Sequence, residues 1–87
     1  MDVGRVDGMT PTHLLSLMDQ IDCTEDEAQI TRWGKQSSLL EKYAHDRRIA
    51  MFCRRTGNIE KALKHEATND HRYLVVAEIA RRHERDK

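Results

Sequence analysis

Arg47, Arg48, Arg54 and Arg55 stand one and seven residues apart. On a helix that spacing gathers them into about a third of the circumference, with Met51 among them. A guanidinium donates paired hydrogen bonds from a planar fork, which suits carboxylates and phosphates. Arg47, Arg48, Met51, Arg54 and Arg55 therefore predict a basic strip with an apolar centre, facing an acidic protein partner or, as the alternative, a nucleic-acid backbone. Equally, the strip could cover the chain's own acidic residues Asp19, Asp22, Glu25, Asp26 and Glu27. Arg81, Arg82 and Arg85 suit the negative end of a helix dipole and imply no partner.

Other chemistry finds less support. Cys23, Cys53 and five histidines invite a metal, yet no C-x2-C or H-x3-H pair supplies the close spacing of local zinc ligands. There is no Gly-x-Ser-x-Gly turn, no phosphate-binding glycine loop and no His-Glu-x-x-His helix. His65 and Glu66, like Asp70 and His71, are chain neighbours, and adjacent helical residues point apart. The sequence predicts a non-enzymatic chain with no cofactor and no metal site.

The elements that hold these residues read as helices. "MTPTHLLSLMDQID" offers Thr10 as N-cap and Pro11 at the first helical position, with Leu14, Leu17, Met18 and Ile21 as one stripe over 11–22. Thr24 and Glu27 have capping-box spacing, predicting a helix near 25–35 that carries Ala28, Ile30 and Trp33. Ser38 and Glu41 repeat the device for a helix over 38–56 that ends at Gly57. Its apolar stripe changes side, from Leu39, Leu40, Tyr43 and Ala44 to Ile49, Ala50, Phe52 and Cys53. Either one helix meets different neighbours along its length, or Asp46 caps a new one. Asn58 caps the next helix, with Ile59, Ala62, Leu63 and Ala67 as its stripe. "TND" at 68–70 predicts an interruption, because those side chains compete for backbone hydrogen bonds. A last helix then carries Tyr73, Val76, Ala77 and Ala80, widened by Leu74, Val75 and Ile79.

These elements predict one all-α domain over 10–87, a small bundle of four to five helices with a hairpin around Gly57, behind a flexible tail over 1–9. With 87 residues the core is small. No apolar run approaches the roughly 20 residues that span a bilayer, and the start lacks the blocks of a secretory signal. A cytoplasmic chain with reduced, buried cysteines is expected, and no membrane contact. Net charge is zero, but residues 1–46 hold four basic and nine acidic side chains, net −5, and residues 47–87 eleven and six, net +5. The two halves attract each other, an oppositely charged partner, or another copy.

Residues 46 to 74 resemble one tetratricopeptide unit. Ile49 and Ala50 match its large-then-small pair, Gly57 and Asn58 its turn, and Ile59, Ala62 and Leu63 the start of its second helix. Asp46, Glu66, Asn69 and Leu74 depart from the pattern, where the family usually has an aromatic, a large ring, a small residue and proline. No copy lies one period upstream. The resemblance covers about a third of the chain and implies a helical hairpin that grips another protein. Taken together, the sequence predicts a helical protein–protein interaction module, self-association included.

Overall fold

The computed structural model describes residues 9–85 and places them in four helices: α1 (Pro11–Cys23), α2 (Glu27–Gly34), α3 (Ser38–Arg55) and α4 (Ile59–Arg85). This is the expected all-α bundle, with no strand among the described residues. None of these helices is long and apolar enough to cross a membrane. The predicted tail lies outside the described residues apart from Met9, which packs against the core.

Each helix start has a local cause. The Thr10 hydroxyl accepts from the His13 amide at 3.1 Å, and Pro11 opens α1. Two caps differ from expectation. Asp26, not Thr24, caps α2, its Oδ1 accepting from the Ala28 and Gln29 amides at 3.1 and 3.3 Å. Thr24 instead accepts from the Asp26 amide at 3.1 Å, folding the approach to the cap. Ser37, not Ser38, caps α3, accepting from the Leu40 amide at 2.9 Å. In both places a nearby side-chain oxygen, the carboxylate of Asp26 and the hydroxyl of Ser37, reaches the free amides.

The corner at Gly57 is as expected. Asn58 N donates to Cys53 O at 2.8 Å and Gly57 N to Arg54 O at 3.3 Å, the paired bonds of a Schellman ending. Gly57 has φ +89°, which a side chain would strain. Asn58 then caps α4, its Oδ1 accepting from the Lys61 amide at 3.2 Å.

α3 and α4 are each continuous. Asp46 starts no new helix; α3 meets different neighbours along its length. The interruption expected at 68–70 is absent. Thr68 donates its hydroxyl to Lys64 O one turn back at 3.1 Å, and the Asn69 amide group donates to Tyr43 O on α3 at 2.8 Å. Bonds within the helix and across to its neighbour take the side chains that would otherwise compete with it.

The apolar core joins Leu17, Met18 and Ile21 of α1, Ile30 of α2, Leu40, Tyr43 and Ala44 of α3 and Val76 of α4. Trp33, Leu14 and Leu39 pack against it. Burying each of the large side chains Met18, Ile21, Ile30 and Leu40 contributes roughly 1.5–3 kcal/mol. Gly34 lets α2 approach α3, because a Cβ there would stand 2.9 Å from the Ala44 Cβ.

Candidate functional site

Tertiary packing divides the arginine strip. Arg47 is half-buried; its Nε donates to Ile21 O at 3.3 Å and its Nη2 to Thr24 O at 2.9 Å, closing the end of α1. Arg48 reaches α2, where Nη1 donates to the Thr31 hydroxyl at 3.0 Å while its buried Nε has no partner. Arg54 forms a two-pronged pair with Glu66, at 2.5 and 2.8 Å. That pair holds the Glu66 carboxyl below its ordinary pKa. Arg55 lies 3.6 Å from Glu27 and 5.8 Å from the centre of the Phe52 ring. Met51 is half-buried against the core. Arg47, Met51, Arg54 and Arg55 share a recess of about 360 Å³ with Glu25, while Arg48 faces elsewhere. Of the five acids that the alternative reading set against the strip, only Glu27 forms an ion pair with it among the described residues.

A polar seam binds α3 to α4. Asp46 is only 9% exposed; His65 Nδ1 lies 2.7 Å from its Oδ1, and Arg72 Nη1 donates to its Oδ2. Arg72 Nη1 also donates to Asn69 Oδ1 at 2.8 Å and approaches Lys42 O at 3.4 Å. Burial alone would raise the Asp46 pKa, but the hydrogen bonds of Arg72 and His65 outweigh it and the net shift is downward. Three of the residues that depart from the tetratricopeptide pattern, Asp46, Glu66 and Asn69, are thus the ones that make polar contacts between these helices.

Outside this seam, α3 carries a groove of about 530 Å³ that Lys61 and Asn58 border at the hairpin. Its apolar surface comes from Ile49 and Phe52, with Cys53 beneath and His45 and Arg48 along the edge. Phe52 is 57% exposed and Ile49 half-buried, although the sequence placed both in a core stripe with Ala50 and Cys53. The correction is one of packing. Ala50, Cys53 and Ala62 are buried and bring the two helices close, which turns their larger neighbours outward. Ile59 and Leu63 likewise face solvent, while Ala62 alone of that predicted stripe is fully buried. Leu74, Val75 and Ile79 are also exposed.

Neither Lys61 nor Arg48 has a carboxylate partner among the described residues. The signal that could have located the groove is the choice between two adjoining stripes: Ala50 and Cys53 are small, and small residues win the contact where backbones approach most closely. Both cysteines are free thiols, but Cys23 is exposed rather than buried.

Among the described residues no group of three metal-binding side chains converges. The chain matches no protein-family model, no curated protein and no solved structure.

Proposed function

We propose that the chain is a non-enzymatic helical interaction module that holds an acidic amphipathic helix of a protein partner in the groove on α3. The observation that carries this reading is an apolar surface, Ile49 and Phe52, bordered by the unpaired cations Arg48 and Lys61. Apolar side chains one turn apart on the partner seat against Phe52 and Ile49, and its flanking carboxylates meet the two cations. An exposed aromatic at the centre of a contact supplies most of the affinity, and edge charges supply approach rate and orientation. The likeness of residues 46–74 to a tetratricopeptide unit belongs to the same reading. So does a cytoplasmic location, which suits two free thiols.

The strip's guanidiniums contact carbonyls, a hydroxyl and carboxylates of their own chain, which favours a protein partner over a nucleic-acid backbone. A fluorescent synthetic peptide, with leucines at helical spacing flanked by glutamates, tests the reading by anisotropy, with labelled duplex DNA as second probe. The peptide binds, Phe52→Ala weakens it at least about tenfold, and Lys61→Glu weakens it most at low salt. Arg54→Ala leaves peptide affinity unchanged. Absence of peptide binding, or binding indifferent to Phe52 and Lys61, overturns the proposal. DNA binding lost on replacing Arg54 and Arg55 establishes the nucleic-acid alternative in its place.

A further inference from the structure

The other flank of α4 carries a surface of the kind that the groove fits. Leu63, Ala67 and Leu74 fall within roughly 40° of one another at about 100° per residue, and all three are exposed, Leu63 by 52% and Leu74 by 66%. Alongside Leu74, Asp70 of α4 and Asp19 and Asp22 of α1 border a recess of about 370 Å³. None of the three carboxylates forms an ion pair among the described residues; Asp19 accepts from the Tyr73 hydroxyl at 2.7 Å and Asp22 from the Tyr43 hydroxyl at 2.5 Å. Burial raises the Asp22 pKa, and the charges of Asp19 and Asp70 push it further up, although the Tyr43 bond and Arg47 oppose the rise.

Nearby cations are already engaged. Arg54 pairs with Glu66, Arg81 with Glu78, and Arg47 with two carbonyls. Lys64 points about 100° away from Leu63 around the helix. The result is an acidic, apolar ridge. It lies roughly 120–180° around α4 from Lys61, on the side away from the groove.

We infer that groove and ridge are the two halves of one interface, and that the occupant of the groove is the acidic ridge of a second copy of this chain. The inference rests on the reading of the groove given above and names its partner. Arg48 and Lys61 of one copy face Asp19, Asp22 and Asp70 of the next, while Phe52 and Ile49 pack against Leu74, one turn from Asp70. Because the two patches differ and point apart, the contact is head-to-tail. Each added copy leaves one groove and one ridge open, so assembly continues unless a ring closes. A net charge of zero leaves no overall repulsion to oppose it.

Sedimentation of the full chain, from micromolar to millimolar concentration and at low and high salt, tests this. The average mass rises with concentration past that of a dimer and falls in high salt. Phe52→Glu with Lys61→Glu removes the groove, and Asp70→Lys with Leu74→Lys removes the ridge; circular dichroism checks that each remains helical. Each double variant alone is a monomer. An equal mixture of the two doubles in mass and grows no further, since one supplies the groove and the other the ridge. A parent that stops at a dimer, association that survives both double variants, or a mixture that stays monomeric overturns the inference. A parent that remains monomeric while the acidic peptide still binds removes the second copy as partner and leaves the groove's function standing. Loss of peptide binding as well removes both.

Discussion

The two ends of the α3/α4 pair are built differently. Toward the start of α3, Leu40, Tyr43 and Val76 meet α1 and α2 in an apolar core contributed by four helices. Toward the hairpin, Ala50, Cys53 and Ala62 are the buried apolar residues and Arg54 pairs with Glu66, while midway along the pair the Asp46, His65, Asn69 and Arg72 seam sets how the helices align. One end is held by displaced water, the other by close backbone approach and charged hydrogen bonds. The lesson is that small buried residues leave large ones uncovered. Phe52, Ile59 and Leu63 face solvent near the hairpin because nothing is left there to cover them.

That contrast can be broken in order of expected size. Ile21→Ala, in the four-helix core, costs about 2–5 kcal/mol in urea unfolding, whereas Leu63→Ala near the hairpin changes stability by less than about 0.5 kcal/mol. Equal losses would erase the distinction. Asp46→Ala strands Arg72 and His65 and costs about 2–3 kcal/mol, with the hairpin amides losing hydrogen-exchange protection first. Gly57→Val forces a β-branched residue to φ +89° and costs about 1–2 kcal/mol. An unchanged melting temperature would show that the corner does not need its glycine.

Two carboxylates sharpen the comparison through pH. Asp46 has a lowered folded pKa, so its contribution is present above the ordinary value of 3.8 and is lost as pH falls through the folded value. Asp22 has a raised folded pKa, so the stability it favours is full below 3.8 and declines as pH rises through the folded value. Unfolding followed from pH 7 into acid therefore gains from Asp22 first and loses from Asp46 afterwards. Asp22→Asn removes the gain and Asp46→Asn the loss. The smallest effect belongs to Arg54→Ala: its pair with Glu66 faces solvent, and the unfolding midpoint hardly moves.

Part of the site was legible and part was not. Thr10 with Pro11, and Gly57 with Asn58, act through bonds that span a few residues, so residue type and spacing are enough to read them. The strip of Arg47, Arg48, Met51, Arg54 and Arg55 was legible as a helical arrangement. Its bonding was not, because Ile21, Thr31 and Glu66 come from three other helices and Thr24 from the link between α1 and α2. The Asp46–His65 contact joins residues 19 apart in sequence, and no local pattern announces it.

Taken alone, the sequence determined four properties. They are the all-α class, the corner at Gly57, the core stripe of Leu17, Met18 and Ile21, and the opposed charge of the two halves. Helical period, capping and the hydrophobic effect act on near neighbours and on totals. Tertiary structure decided that α4 runs unbroken through Asn69, that Ala50 is buried while Ile49 and Phe52 line a groove, and which cations remain without a carboxylate. Those outcomes depend on which helix lies opposite, because a neighbour's carbonyl can free a helix from its own competing side chain, and a close neighbour has room only for the smaller of two stripes.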